Sequence, residues 1–313
     1  MRLNAKYGFI DESGQLKIEA IYDSTGYFSE GYAPVVRNDV CSLIDYEGNE
    51  ALRTNYFWLR EFHCGLAMFS QNNRFGFINK RGIEVIPAKF LGCFAFRENR
   101  TVVSTQAGFG ILDVEGREIL PTLFYRIGNY FEGLSNICRE AKGKFGFVDL
   151  NGKEIIDCQW DDASNFSESR AVIGEKGKYG LINREGETVL KPKYTHIGDV
   201  SGGLAFFKKS GRYGFLNREG EIAIEPRFIE LGNFADGFAP VRIGKAWAYI
   251  NSQGVQVTEP LFNHASEFVN GYAVVEKEGR DSYLTTELKE VTINTAYSSV
   301  GYYFEGLAAV RVG

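Results

Sequence analysis

The sequence is poor in the residues that most often hold metals or perform catalysis. Only three of its 313 residues are histidine, and its five cysteines show no Cys-x-x-Cys or other metal-ligand spacing. We therefore expect reduced thiols that pack as small apolar side chains, rather than disulfides or a zinc site. The sequence also lacks a G-x-S-x-G motif and a phosphate-binding loop, so we expect no cofactor, no metal and no catalytic residues. The cysteines are Cys41, Cys64, Cys93, Cys138 and Cys158.

An excess of basic residues and a long apolar run are also missing. The chain has 35 Lys and Arg against 40 Asp and Glu, a formal net charge of -5. This balance argues against a nucleic-acid partner, because a phosphate backbone attracts basic surfaces. No apolar stretch approaches the roughly 20 residues of a membrane span, and the first residues contain no apolar segment typical of a signal peptide. These observations predict a cytoplasmic protein without a membrane span.

Proline is scarce, with 7 residues, whereas glycine (36 residues) and aromatic side chains (14% of the chain) are abundant. An internal repeat explains both excesses. A glycine that follows an aromatic residue and precedes two apolar residues recurs in steps of 34 residues, with one step of 36. We count repeat positions from this glycine, which is position 0. It occurs at Gly8, Gly76, Gly110, Gly146, Gly180 and Gly214, and the other three copies have Ser42, Ala248 and Ser282 there.

Each copy predicts two strands joined by a tight turn. The apolar residues at positions +1 and +2 point to opposite faces of a strand, so this strand should be buried on both faces. An Asp or Asn at +3 and a Gly at +6 follow, as in Asp149 and Gly152. An Asx side chain bonds to the backbone two residues on and glycine accepts a positive φ, so the pair predicts a hairpin turn. Calcium binding is less favoured, because one Asx per turn supplies too few oxygen ligands.

The second half of each copy contains fixed aromatic residues and a further strand. Aromatic residues recur at +14 and +20, as in Phe228 and Phe234, and a small residue recurs at +25, as in Ala239. No segment shows the apolar period of a helix. The sequence therefore predicts three strands and a semi-extended link in each copy. Because so small a meander is marginal alone, its stability should come from packing copy against copy.

These features predict an all-β fold of nine repeats, arranged as a β-propeller-like closed ring in a single domain over residues 1–313. The small residue suits a crowded innermost strand, and the chain begins and ends with complementary halves of one hairpin, whose edges closure would pair. An open β-solenoid or superhelical stack is the alternative, because nine blades is a high number and the last copy is degenerate. The copies lie near residues 5–39, 40–73, 74–107, 108–143, 144–177, 178–211, 212–245, 246–279 and 280–313.

The pattern KYGLINREG…VLKPKY…DVSGGLAFF resembles the WG-containing (KWG) repeat family of bacterial proteins. The resemblance covers essentially the whole chain. Only Trp247 keeps the tryptophan of the family name, and Ala248 follows it in place of glycine. The resemblance implies a binding or interaction module and supplies no catalytic residues to carry over.

Position +16 differs from copy to copy, while the scaffold positions stay fixed. Such a position is either plain solvent-exposed surface or a surface that reads a ligand. The second copy adds aromatic residues and an arginine within residues 55–65, and groups of this kind anchor partners. They equally suit repacking of this copy, which lacks the usual Tyr-Gly. The candidate binding residues are Phe57, Trp58, Arg60, Arg126, Asp162, His196, Glu230 and His264.

The sequence predicts function only at the level of class. The first hypothesis is a non-catalytic repeat scaffold that binds another protein or a peptide. The alternative is a glycan- or cell-wall-binding module, because aromatic-rich β-repeats stack sugars on exposed rings. An enzyme with carboxylates converging on a propeller channel is a third and less supported reading. We expect the three histidines, His63, His196 and His264, in exposed loops.

Overall fold

A computed structural model describes residues 5–294 and 296–313, and every regular element within them is a β-strand. The strands form nine antiparallel sheets among the described residues. The chain divides into two compact units, one made of Met1–Leu91 with Phe262–Gly313 and the other of Gly92–Leu261. The prediction of an all-β repeat fold is confirmed.

The N-terminal part of the first unit contributes ten strands. The strands β3 to β6 form one sheet in that order, and β10, β9, β8 and β7 form the next. The ten strands are β1 (Lys6–Asp11), β2 (Leu16–Tyr22), β3 (Ser24–Thr25), β4 (Ala33–Arg37), β5 (Val40–Ile44), β6 (Glu50–Arg53), β7 (Trp58–His63), β8 (Leu66–Gln71), β9 (Arg74–Asn79) and β10 (Glu84–Phe90).

The second unit contains seventeen strands in five sheets. Three sheets have four strands each, β11–β14, β15–β18 and β19–β22, while β23–β25 and β26–β27 form smaller ones. The strands are β11 (Gly92–Cys93), β12 (Arg100–Ser104), β13 (Phe109–Asp113), β14 (Glu118–Phe124), β15 (Arg126–Ile127), β16 (Leu134–Cys138), β17 (Phe145–Asp149), β18 (Glu154–Trp160), β19 (Asp162–Ala163), β20 (Ala171–Glu175), β21 (Lys178–Ile182), β22 (Thr188–Tyr194), β23 (Leu204–Lys209), β24 (Arg212–Asn217), β25 (Ile222–Phe228), β26 (Phe238–Ile243) and β27 (Ala246–Asn251).

The first and last strands of the chain lie in one sheet of the first unit. The final strands are β28 (His264–Ala265), β29 (Tyr272–Lys277), β30 (Arg280–Thr285), β31 (Glu290–Thr292), β32 (Tyr297–Phe304) and β33 (Leu307–Val312). The strands β28 to β31 form one sheet, and another has the order β2-β1-β33-β32. In it, β1 pairs with β33 from Lys6 opposite Val312 to Asp11 opposite Leu307. The chain ends thus complete a hairpin, as predicted, and the fold is a β-propeller rather than an open solenoid.

Each complete sheet has four strands, so the predicted three-stranded unit is wrong. The predicted link supplies an additional, first strand, which is only two residues long in sheets such as β15–β18 and β19–β22. Only one residue, Asp161, separates the last strand of one sheet from the first strand of the next. Each four-stranded sheet therefore takes its first two strands from one predicted copy and its last two from the next, and the sheet of the chain ends combines the last copy with the first.

In the four-stranded sheets the small residue at +25 lies in the second strand and not in an edge strand, whereas Ala205 and Ala239 lie in β23 and β26, at the edges of the smaller sheets. The predicted reason for its size, crowding in an innermost strand, therefore does not apply to the four-stranded sheets. The link of the same copy crosses over it instead. The hydroxyl of Thr101 donates to the carbonyl of Phe94 at 2.6 Å, and that of Ser135 donates to the carbonyl of Gly128 at 2.7 Å. A larger side chain would displace this link.

The Asx–glycine turns form as predicted. One carboxylate oxygen of Asp149 accepts hydrogen bonds from the amides of Asn151 and Lys153, both at 2.9 Å. Gly152 adopts φ 77° and donates its amide to the Asp149 carbonyl at 2.9 Å. The Asp side chain thus satisfies the turn itself, which is a structural role.

The glycine at position 0 is required by the fourth strand. A Cβ atom built at Gly180 would lie 2.1 Å from the carbonyl oxygen of Leu190 and 2.7 Å from the nitrogen of Pro192. Strands β21 and β22 shift register at this point, which brings the backbones together. Where serine replaces the glycine, at Ser42 and Ser282, the fourth strand has only four and three residues instead of seven.

Aromatic rings fill the core between neighbouring copies. The residues at +1 and +20 meet edge to face, with ring centroids 4.9 Å apart for Phe147 and Phe166 and 4.7 Å apart for Phe215 and Phe234. Phe147 and Phe166 share one buried cluster with Leu134 of the preceding copy and Ile182 of the following copy. Within this unit, stability therefore comes from contacts between copies.

Carboxylates add a second connection between copies. The side chain of Glu168 accepts hydrogen bonds from the amides of Gly202 and Gly203, at 2.7 and 2.8 Å, and from Arg218. The equivalent Glu132 accepts from the amide of Ser169 at 2.9 Å. Burial disfavours the charged form of Glu168, but the hydrogen bonds from Arg218 and Gly203 outweigh it and lower its pKa below the usual value.

We expect Glu168→Gln to lower the free energy of unfolding by about 1–3 kcal/mol at neutral pH, because amides of the next copy lose a charged acceptor. A carboxylate with a lowered folded-state pKa stabilises the fold above its unfolded pKa, and this contribution is lost as the pH falls through the folded pKa. Urea titrations at several pH values should therefore show the variant converging on the wild type in acid. Glu185→Gln, at an exposed position, is the control. A difference that stays constant down to low pH would contradict the role of the charge.

Candidate functional site

The second unit contains a groove with a cavity volume of about 620 Å³ that brings three predicted residues together. Arg126, Asp162 and His196 all line it. They occupy position +16 in three successive copies, and their convergence is the main agreement between the sequence and this site. The volume falls within the roughly 300–1,000 Å³ of typical ligand sites. We call it the unit-two groove.

The first strands of successive sheets position these residues. Arg126 and Asp162 begin the two-residue strands β15 and β19, which are edge strands of their sheets. His196 precedes Ile197, which makes an isolated bridge to Phe207 instead of a full strand. Charged residues on edge strands also discourage unwanted strand pairing. The polar character of position +16 therefore suits the sheet edge, while its variation from copy to copy determines the chemistry of the groove.

Two half-buried aromatic rings, Tyr179 and Phe206, also line the groove. The hydroxyl of Tyr179 donates to a carboxylate oxygen of Asp162 at 3.5 Å. The ring of Phe206 covers Gly198 so closely that a Cβ at this glycine would lie 2.1 Å from the ring edge. Glycine at this position therefore leaves the space that the Phe206 ring occupies.

Two further polar residues, Asp199 and Asn233, line the groove from position +19. With Arg126, Asp162 and His196 they give the groove one permanent positive charge, two carboxylates and an imidazole. A ligand bearing both donors and charged groups of either sign would find partners here. Sequence reasoning missed Asp199 and Asn233, although comparison of the copies at +19 shows polar residues in most of them.

Glu230, the other candidate binding residue of the second unit at this repeat position, does not line the groove. Both of its carboxylate oxygens lie 2.9 Å from a guanidinium nitrogen of Arg242. His264 lies in the first unit, exposed at the start of β28. Of the predicted residues at +16, only Arg126, Asp162 and His196 therefore line the unit-two groove.

The repeat model for this chain matches residues 7–41, 75–105, 145–179, 179–213, 213–247 and 247–280, together more than half of the sequence, and its description is WG containing repeat. The chain belongs to the WG containing repeat family. The resemblance predicted from the sequence is thus confirmed. Among curated proteins, no sequence matches this chain.

Solved structures resemble the WG repeat chain at low sequence identity. A eukaryotic initiation factor is 10% identical with a TM-score of 0.50, over 95% of this chain and 86% of that one. BamB from Moraxella catarrhalis is 10% identical with a TM-score of 0.41, over 99% and 90%. Hsv2 from Kluyvelomyces marxianus is 11% identical with a TM-score of 0.41, over 65% and 81%. The first of these likenesses supports the β-propeller fold and nothing beyond it.

The three predicted residues of the second WG repeat copy lie in the first unit. Phe57 is 90% exposed, whereas Trp58 is half-buried and meets Phe75 edge to face at 6.1 Å. The guanidinium of Arg60 lies 4.8 Å from the centroid of the Trp58 ring. Trp58 and Arg60 line a small cavity of about 100 Å³. Trp58 therefore both packs against its own sheet and faces a cavity.

The histidine and cysteine predictions hold in part. His196 and His264 are exposed, but His63 is half-buried, with its Nε2 3.2 Å from the hydroxyl of Tyr27. The five cysteines are free; Cys41 and Cys138 are buried as expected, whereas Cys64 is exposed. No group of three or more His, Cys, Asp or Glu side chains suited to a metal occurs in residues 5–294 and 296–313.

None of the described residues forms a helix that is long and apolar enough to cross a membrane.

Proposed function

We propose that the WG repeat chain is a non-catalytic scaffold that binds an extended segment of another protein in the unit-two groove. The observation that supports this most is the convergence of Arg126, Asp162 and His196, which vary between copies and contribute little to the core. A β-propeller is commonly an interaction scaffold. A cytoplasmic location stays a prediction from the sequence.

The chemistry of the groove suits a peptide better than a single small ion. Asp162 and Asp199 accept hydrogen bonds from backbone or side-chain donors, while Arg126 pairs with a carboxylate, so the charges favour one direction of the chain. The half-buried rings of Tyr179 and Phe206 supply rigid apolar contact, as aromatic anchors do at interfaces. A peptide bound here would span at least three successive copies, from strand β15 at Arg126 to the isolated bridge beside His196.

We expect Asp162→Asn to weaken peptide binding at least tenfold, or about 1.4 kcal/mol, without changing the unfolding midpoint. A random dodecapeptide library displayed on phage would be selected on the intact chain, and the best peptide would be synthesised and measured by calorimetry. Glu230→Gln is the matched control, because it removes the same charge at the same repeat position outside the groove. An equal loss of peptide affinity in both variants would contradict the proposal. So would a selection in which free wild-type protein displaces none of the bound phage. So would hydrolysis of model esters or glycosides by the purified chain.

The alternative function, glycan binding, is favoured by one feature of the same groove. The half-buried Tyr179 and Phe206 rings flank carboxylate and amide groups, and flat rings beside planar hydrogen-bonding side chains suit a sugar. A glycan array with the wild type and Phe206→Ala would test it. Binding of a defined saccharide that Phe206→Ala abolishes would favour the glycan, whereas an array without signal would favour the peptide.

A further inference from the structure

A buried carboxylate faces a small cavity in the first unit, apart from the unit-two groove. Glu61, in strand β7, is 5% exposed and lines the cavity of about 100 Å³ beside Trp58 and Arg60. Sequence reasoning named both neighbours but not the glutamate. We call this the Glu61 cavity.

The contacts of Glu61 compensate its charge only weakly. The amide of Tyr27 donates to one carboxylate oxygen at 3.3 Å, which is long for such a bond. The nearest guanidinium nitrogen of Arg60 lies 4.0 Å from the other oxygen. A buried carboxylate requires close, well-aligned partners to offset its lost hydration. The cavity thus presents a carboxylate with remaining capacity to accept donors.

The local sequence keeps this carboxylate against the backbone. A Cβ atom at Gly26 would lie 2.2 Å from a carboxylate oxygen of Glu61 and 2.7 Å from the ring of Pro34. Glycine at this point therefore leaves the space that Glu61 occupies. Ser24 and Thr25 of strand β3 also line the cavity and add hydroxyl groups close to the carboxylate.

The aromatic wall of the cavity already attracts a cation. The guanidinium of Arg60 lies 4.8 Å from the centroid of Trp58, within the range of a cation–π contact. The Arg60 side chain is nevertheless 54% exposed, so its charge stays at the rim and its ion pair with Glu61 is long. The inner part of the cavity, nearer the carboxylate, is therefore suited to a smaller cationic group.

We propose that the Glu61 cavity binds a single primary ammonium group, that of a lysine side chain or a chain N-terminus of a partner protein. The ammonium donates to Glu61 and lies against the Trp58 ring, while Arg60 moves aside. The cavity, at about 100 Å³, is smaller than the pockets of roughly 300–1,000 Å³ that bind drug-sized ligands. One carboxylate offers too few oxygen ligands for calcium, which takes six to eight. This site is independent of the peptide proposed for the unit-two groove.

The test uses n-butylammonium chloride as the probe and the intact chain. With three tryptophans, the indole signals in a ¹⁵N–¹H spectrum are easily resolved, and Trp58→Phe assigns that of Trp58. We expect a saturable shift of this signal with n-butylammonium and none with n-butanol at equal concentration. Glu61→Gln should weaken binding at least tenfold, whereas Arg60→Ala should tighten it severalfold because a competing cation is removed.

If Glu61→Gln does not fold, Arg60→Ala still tests the proposal. The Arg60 side chain is 54% exposed, so we expect its removal to leave the fold intact. The proposal would be overturned if the shift of the Trp58 signal does not saturate or is equal with n-butanol. Weaker binding of n-butylammonium to Arg60→Ala than to the wild type would also overturn it. Asp162→Asn should bind n-butylammonium as the wild type does. Its peptide affinity therefore reports on the unit-two groove separately.

Discussion

Gly180→Ala is expected to destabilise the second unit more than any other single methyl group added to its turns or strands. The new Cβ would lie 2.1 Å from the carbonyl oxygen of Leu190, and backbone rather than a flexible side chain blocks it. Strand β22 would have to move away from β21, as the shortened fourth strand beside Ser42 illustrates. We expect a loss of about 2–4 kcal/mol in the free energy of unfolding, measured by urea denaturation.

Two controls separate this clash from a general effect of replacing glycine. Ala248→Gly makes the reverse change at the same repeat position, where the sheet lacks a fourth strand among the described residues, and should lower stability by about 0.5–1 kcal/mol. Gly177→Ala adds a methyl group at a positive φ with no atom within 4 Å, so it reports conformational strain alone. Gly180→Ala with an unchanged unfolding midpoint would contradict the steric role of position 0.

Val310→Asp is expected to unfold the sheet that joins the two ends of the chain. Val310 is 1% exposed, pairs with Gly8 in β1, and belongs to a buried cluster with Ile10 and Tyr303. A carboxylate placed there has no cationic partner in the described part of that cluster, so we expect a loss of more than about 4 kcal/mol. Near-ultraviolet circular dichroism and urea denaturation would record it.

The matched control for this variant is Arg311→Asp, which introduces the same side chain at the adjacent, exposed position of β33. It should lower stability by no more than about 0.5–1 kcal/mol, in line with other surface changes. A similar loss of unfolding free energy in both variants would mean that the two faces of β33 respond equally to a charge. That result would contradict the burial of Val310.

Much of the fold was predictable because residues with a structural role recur at the same position in most copies. The Asx and glycine of the turn, as in Asp149 and Gly152, act through local bonds that a sequence pattern shows directly. The complementary chain ends also followed from where the repeat begins and stops. The two-residue first strands, such as β15 and β19, were not predictable. Two residues are too few to show an alternating pattern, and their pairing depends on the neighbouring second strand.

The role of the position 0 glycine was also hidden in the sequence. Its restriction is not a positive φ but the approach of a strand ten residues later, as at Gly180 and Leu190. Such a contact depends on the register shift between the strands, which no single position encodes. The copies with serine or alanine provided the only hint, since their sequences after the turn are the most irregular.

The candidate site was predicted in part. Variation between copies identified Arg126, Asp162 and His196, because residues without a packing role are free to differ. The same criterion included Glu230 and His264, since variation does not show which sheet edges face a cavity. Tyr179 was missed for the opposite reason: it occupies the fixed aromatic position before position 0 and resembles a scaffold residue. Glu61 lies at +19, like Asp199 and Asn233, and only its surroundings show that it lines a cavity.

Amide hydrogen exchange of the terminal strands reports on the pairing of β1 with β33, on which the propeller fold depends. We expect the amides of residues 6–11 and 307–312 to exchange as slowly as those of interior strands such as β9, because each of the two strands is hydrogen bonded to a neighbour on both sides. Fast exchange throughout residues 307–312, as at a frayed chain end, would contradict it.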